Sequence, residues 1–328
     1  MVSAADNRLE WIDWMKALGI YLIVLGHFYS TGEKFIYVFH VPLFFLISGF
    51  LCKREDSQRA FWRKLWYNLA VPMLIMATMN YIFHCILQLC YGTFRFSDIY
   101  WFVRNILFGM VSGFDTLWFV YTLMALKIII QLCKSNPMFY SLSAVMLVLA
   151  YVYNNIDLSG LPFFLKEPNA IVDVCTAFPF FAFGVFLHDR RALLNGWNHR
   201  IQLLIIATGG ILGVSICYFY NGSAGLYRCD YGSNIFLFLF GGFMGSMMIF
   251  AISKFMGHVS KAVSIISQGT IVILGFHKLF IDLIWVFFPA SYLDILFAAL
   301  IVMLFVPVIV ATEKFFPLIV GKYRIRKP

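Results

Sequence analysis

Asp13, Lys16, His27 and His40 interrupt an apolar stretch at residues 13–51, DWMKALGIYLIVLGHFYSTGEKFIYVFHVPLFFLISGFL, which otherwise reads as two membrane-crossing helices joined by a short polar turn. A titratable side chain near the bilayer centre costs at least about 2.5 kcal/mol, so this load implies a protein-lined site rather than a lipid-facing surface. The residue types indicate the chemistry. A neutral imidazole, with an unperturbed pKa of about 6.5, can take a proton from a hydroxyl, while a lysine beside a carboxylate suits a structural pair or an anion site.

Spacing sorts these residues into layers. At about 100° per residue, Lys16 and His27 fall within roughly 20° of one another, and Asp13 within roughly 60° of Lys16, so one helix face carries all three. With the turn centred near Gly32, antiparallel pairing puts His27 and His40 at one depth, and Lys16 opposite Ser48 and Gly49 at another. The layers are separated by about 16 Å. Asp13 lies about 21 Å of helix from His27 and cannot orient it directly, which excludes a triad through those two.

These residues need a membrane scaffold, and the composition supplies one. The chain has 328 residues, 62% hydrophobic and only 12% charged, which rejects a soluble core. Taking about 20 apolar residues per span, ten helices are expected: 12–30, 35–52, 65–90, 116–134, 138–155, 171–188, 201–220, 234–254, 263–287 and 292–313. With a cytoplasmic N-terminus, the cytoplasmic tails and loops would hold eighteen Lys and Arg residues, against five outside: Lys34, Arg95, Arg104, Lys166 and Arg228. The expected architecture is thus an all-α integral membrane bundle, multi-pass in the cell membrane, with both termini cytoplasmic and the whole chain as one domain. The net charge of +9 is spread over alternating loops, so nucleic acid is not an expected partner. Seven cysteines at 52, 85, 90, 133, 175, 217 and 229 show neither a disulfide framework nor metal-ligand spacing, and no cleavable signal peptide is read at the start.

Other segments add candidates. GTFRFSDIYWFVRNILFGMVSGFD at 92–115 reads as an interfacial or re-entrant helix on the outer face, where Arg95 and Arg104 could grip an anionic part of a substrate or lipid headgroups. The loop 156–170, with Gly160, Pro162 and Pro168, reads as an irregular connection, and Pro179 as a kink in the sixth span. Gly209/Gly213 and Gly241/Gly245 have the spacing that lets helices approach closely. Four histidines, at 27, 40, 84 and 277, fall at central or outer depth in their helices.

Asp13, Lys16 and His27, followed by PLFFLISGFL at 42–51, resemble the opening of the acyltransferase 3 membrane proteins, which move acyl groups onto sugars and other hydroxyl acceptors. Lys16 and FHVPLFF at 39–45 are most similar to the fucose 4-O-acetylase-like branch. Many relatives have arginine at the position of Lys16; lysine offers a point charge instead of a planar fork. Leu117-Trp118-Phe119 resembles the family's LWF motif, and Ser267 with His277 ten residues on resembles a stretch near its C-terminus.

The resemblance implies an O-acyltransferase, most simply an O-acetyltransferase, with no permanently bound cofactor or metal. Acyl-CoA would be the donor, and a glycan or lipid-linked sugar at the outer side the acceptor. His27 is the expected base, with His40 and His277 as further catalytic candidates. Asp13, Lys16 and Ser48, with Arg54 and Arg63 from the basic loop, are the donor-binding candidates. Arg95, Arg104 and Trp118 are the acceptor-binding candidates. CoA would sit at the cytoplasmic mouth while its thioester arm reaches the histidine layer, which requires a continuous interior path. The rival reading is a proton-coupled secondary transporter, since buried His, Asp and Lys also build proton relays. Against it, neither an internal repeat nor a matched pair of Gly/Pro-broken helices is visible.

Overall fold

A computed structural model describes residues 9–29, 32–108, 118–133, 135–157, 160, 170–288 and 293–322. Leu117, Lys134, Lys166 and most of the 156–170 connection lie outside the described residues. The first span is α1, Glu10–Gly26, with Glu10 and Asp13 in its first turn, where the helix dipole favours carboxylates. Beyond it Tyr29 (φ 51°) and Gly32 (φ 98°) adopt left-handed backbone, and Gly32 caps the next helix.

The second span is not continuous. It divides into α2, Glu33–Tyr37, and α3, His40–Phe50, at Phe39 (φ −135°, ψ −16°). Pro42 explains the break, because its ring would collide with the carbonyl of Val38 four residues earlier in an unbroken helix. The third begins earlier than expected, as α4, Gln58–Leu65, and passes through a π-helical turn at Trp66–Ala70 into α5, Val71–Cys90. Pro72 again removes a backbone donor just beyond the irregular turn.

An amphipathic α6, Ser97–Phe108, follows, its Phe102 ring stacked 4.0 Å from Tyr81 of α5. Next come α7, Trp118–Leu132; α8, Asn136–Asn155; α9, Ala170–Asp189, with Pro179 inside it; and the short α10, Arg191–Gly196. After α11, Arg200–Tyr220, and α12, Ile235–Met256, the expected 263–287 helix also divides: α13, Lys261–Gln268, and α14, Thr270–Phe287, meet at Gly269. There the side chain of Ile309 occupies the space a Cβ would need. The final helix is α15, Asp294–Phe315.

Among the described residues, eight helical stretches are long and apolar enough to cross a membrane. The two remaining expected spans are α1 and α7, of 17 and 15 residues. The result is an all-α multi-pass membrane bundle. Its outward faces carry exposed apolar side chains such as Val148, Ile205 and Leu296, as a lipid environment allows.

α1 sits centrally, packed on α3, α12, α13, α14 and α15. Because lipid tails are as apolar as the core, close helix packing must come from small residues. Gly49 of α3 lies against the backbone of Phe181 in α9, and Gly184 of α9 against that of Leu46. Between α11 and α12, Gly210 and Gly213 lie against Met244 and Met248, while Gly209 meets only the Met244 methyl at 3.7 Å. Gly241 and Gly245 instead receive Val38, Cys217 and Phe39. On α11 the close approach thus uses the expected Gly213, with Gly210 in place of Gly209.

Candidate functional site

Each of the three candidate catalytic histidines hydrogen-bonds through Nδ1 to a carbonyl in the preceding helical turn. His27 bonds Ile23 O at 2.7 Å, His40 bonds Ile36 O at 2.9 Å, and His277 bonds Ile273 O at 2.9 Å and Leu274 O at 3.1 Å. A carbonyl oxygen only accepts, so Nδ1 donates in every case, and a neutral ring then presents its lone pair at Nε2.

α14 brings His277 against His27, ring centroids 4.9 Å apart and edge to face. His277 is fully buried, and its Nε2 has no hydrogen-bond partner. Of the two further candidates, His277 makes the ring contact with His27, while His40 shares a cavity with it. The Tyr37 ring lies 4.8 Å from His40 and 6.5 Å from His27. His27 and His40 open onto a cavity of about 330 Å³, walled also by Tyr29, Glu33, Lys34, Tyr37, Trp118, Phe119, Tyr227, Arg228, Asp230 and Lys278.

A second cavity, of about 240 Å³, lies deeper along α1 and is lined by Lys16, Ser48, Lys127, Thr270 and apolar side chains. The antiparallel reading of 13–51 therefore pairs Lys16 with Ser48 as expected, whereas Gly49 turns towards α9. Ile23, Phe119 and Leu274 line both cavities. The lysine and histidine cavities thus adjoin at these three apolar side chains, with the Phe119 ring seated 4.5 Å from Phe45.

Asp13 shares the helix face but does not line the lysine cavity; it is buried at 6% exposure, and its Oδ1 accepts a hydrogen bond of 2.5 Å from Ser267 Oγ. The Ser267–His277 stretch and α1 therefore meet twice, at Asp13 and at His27. Arg54 donates from Nε to Ile130 O at 3.1 Å, tying its loop to the end of α7. Arg63 is exposed on α4, and neither arginine lines either of these two cavities.

Trp118 lies on the histidine cavity, its ring 5.2 Å from Tyr227. Arg95 is exposed, and Arg104 stacks over Trp101 at 4.6 Å; neither lines that cavity, and nor does half-buried His84. All seven cysteines are free, and among the described residues no group of His, Cys, Asp and Glu could hold a metal ion.

Sequence reasoning missed Lys127, Tyr37, Lys278 and the 223–230 loop, and it noted Phe119 only as part of the Leu117-Trp118-Phe119 resemblance. Lys127 was counted as topogenic charge, and its place near the end of an apolar helix, facing inwards, was the available signal. Lys278 directly follows His277, a second cation inside an apolar span.

No solved structure matches the chain. "Nodulation protein NolL" of Sinorhizobium fredii (strain NBRC 101917 / NGR234) is 32% identical over 93 residues, covering 24% of this chain and 25% of that protein. The chain thus spans about a quarter of that relative's length. A family profile described as an acyltransferase domain matches residues 9–313, which takes in α1, both cavities and nearly all of α15. The chain accordingly belongs to the acyltransferase family and is an integral-membrane, all-helical member of it.

Proposed function

We propose that the protein is an O-acyltransferase, most simply an O-acetyltransferase. It takes its acyl group from acyl-CoA at the lysine cavity and delivers it to a hydroxyl of a glycan or lipid-linked sugar in the histidine cavity. The observation that carries this reading is the pair of cavities sharing Ile23, Phe119 and Leu274. A donor with a charged head and a thin thioester arm matches a cationic chamber that adjoins a histidine-lined one across three apolar side chains, past which the arm would reach the acceptor. The resemblance of FHVPLFF to the fucose 4-O-acetylase-like branch supports acetyl as the acyl group.

In the transfer step the acceptor hydroxyl oxygen attacks the thioester carbonyl carbon while its proton passes to Nε2 of His27. The C–S bond breaks, and the departing CoA thiolate takes the proton back from the imidazolium. His277, whose Nε2 is a buried acceptor beside the His27 ring, stabilises the protonated state. Tyr37 and Lys278 supply donors on the same wall for the developing oxyanion. Lys16, Lys127 and Ser48 hold the donor, with phosphate and carbonyl oxygens as natural partners for ammonium and hydroxyl groups.

The test uses detergent-purified protein, with acyl-CoA binding by calorimetry and CoA release in the presence of acceptor. His27→Ala should bind acyl-CoA as the unmutated protein does and lose turnover by about 10²- to 10⁴-fold, the usual worth of a positioned general base. Normal turnover in His27→Ala sinks the assignment of the base. Absence of acyl-CoA binding by the unmutated protein sinks the reading as a whole and restores the transporter.

A further inference from the structure

The connection between α11 and α12 is held by buried polar side chains at both ends. Asn221 is fully buried, and its Nδ2 donates to Tyr231 O at 2.6 Å. Its Oδ1 accepts from Asn234 N at 2.6 Å, and its carbonyl from Ser233 N at 3.1 Å. Within the loop Gly225 N donates to Asp230 O at 2.6 Å.

At the other end Asp173 reaches in from α9, itself fully buried. Its Oδ1 accepts from Arg228 N at 2.7 Å and Cys229 N at 3.3 Å. Those two residues have φ of 67° and 57°, consecutive left-handed conformations that side-chain-bearing residues keep only when the surroundings hold them. One turn along α9, Thr176 donates to Leu226 O at 3.4 Å.

The clamped loop forms one wall of the histidine cavity, contributing Ser223, Tyr227, Arg228 and Asp230. The Tyr227 ring stands 5.2 Å from the Trp118 ring, the Arg228 guanidinium lies 5.2 Å over Tyr227, and Glu33 completes the rim. Aromatic faces beside carboxylates suit a pyranose, whose C–H face lies on a ring while its hydroxyls donate to carboxylate oxygens.

We propose that residues 221–234 are the acceptor-recognition element, in which Tyr227 and Trp118 stack a pyranose ring, Asp230 and Glu33 take its hydroxyls, and Asp173 is the positioning residue that fixes the wall. This rests on the transfer reading above and adds which residues select the acceptor. A mobile wall would bind the same groups poorly, because misplacement of about 1 Å costs up to roughly 10²-fold.

Two measurements test it independently. In a variant keeping only Cys229, burial pushes that thiol up to about 12, so maleimide should react slowly. Asp173→Ala should release the turn and speed labelling by tenfold or more, whereas Asp173→Asn, which keeps the accepting oxygen, should not. Unchanged labelling in Asp173→Ala overturns the clamp.

The second measurement is CoA release from acetyl-CoA, titrated with methyl pyranosides. In Asp173→Ala and in Tyr227→Ala the KM for the pyranoside should rise about 10- to 100-fold while the KM for acetyl-CoA holds, and Asp173→Asn should restore the first value. Tyr227→Ala leaves the buried carboxylate in place and so answers the question even where Asp173→Ala fails to fold. Equal pyranoside KM values throughout, or no stimulation of the unmutated protein by any pyranoside, overturn the acceptor assignment. Failure of acetyl-CoA to bind at all instead overturns the transfer reading, and the labelling result still judges the clamp.

Discussion

Lys16 and Lys127 converge on one cavity from helices more than a hundred positions apart. If both contact the donor's phosphates, Lys16→Ala and Lys127→Ala should each weaken acyl-CoA binding by about tenfold or more, the worth of one charge-assisted hydrogen bond, while Lys16→Arg keeps most of it. Calorimetric donor titration decides this, and unchanged affinity in Lys16→Ala would leave the residue a structural role alone. Asp13 answers to a different measurement. Ser267→Ala removes a donor from a buried carboxylate and should cost about 1–3 kcal/mol of stability in thermal unfolding, with acyl-CoA affinity retained. At this scale the sequence was legible where helical geometry alone decides, as for Lys16 with Ser48 or His27 with His40. It could not show which helix brings a partner: His277 was a candidate only through the Ser267–His277 resemblance, not through its place against His27, and Lys127 was not a candidate at all.

Helix positions were legible because about 20 apolar residues are needed to cross a bilayer, a length signal that survives any packing. The interruptions were not, since 35–52 and 263–287 each read as one mainly apolar stretch of spanning length and hydropathy is blind to backbone irregularity. Their local causes are visible in retrospect: Pro42 strains the turn before it, and Gly269 accommodates Ile309. Each break lies near candidate site residues, Phe39 next to His40 and Gly269 between Ser267 and His277. The glycines permit a sharp comparison. Gly49→Ala would drive a Cβ into the Phe181 backbone of α9, which cannot yield as a flexible side chain does, so the folded protein should be lost or destabilised by more than about 3 kcal/mol. Gly209→Ala meets only a methionine methyl and should be neutral or stabilising by about 0.5–1 kcal/mol through helix propensity. Thermal unfolding in detergent checks both; a tolerated Gly49→Ala would show that α3 and α9 can separate.

For the whole molecule, the direction of transfer depends on which membrane face the histidine cavity opens to, and charge distribution is the argument available for it. Lys53, Arg54, Arg59, Arg63 and Lys64 cluster in the 53–64 region, while Ser223 lies on the loop that walls the histidine cavity, so the positive-inside rule predicts that Ser223 faces outwards. Native thiols report this poorly, because Cys229 is fully buried and Cys52 half-buried. Ser57 and Ser223 are exposed and flank the two sides. In a background lacking the four accessible cysteines (Cys52, Cys85, Cys90 and Cys175), Ser223→Cys should react with an impermeant maleimide in intact cells. Ser57→Cys should react only after permeabilisation. The three remaining thiols, Cys133, Cys217 and Cys229, are buried and should stay silent in both conditions. The reverse pattern would turn the molecule over, placing His27 and the pyranose-binding wall in the cytoplasm. The lysine cavity would then face away from the compartment where acyl-CoA is made, and a donor held by Lys16 and Lys127 could no longer be acyl-CoA drawn from the cytoplasm.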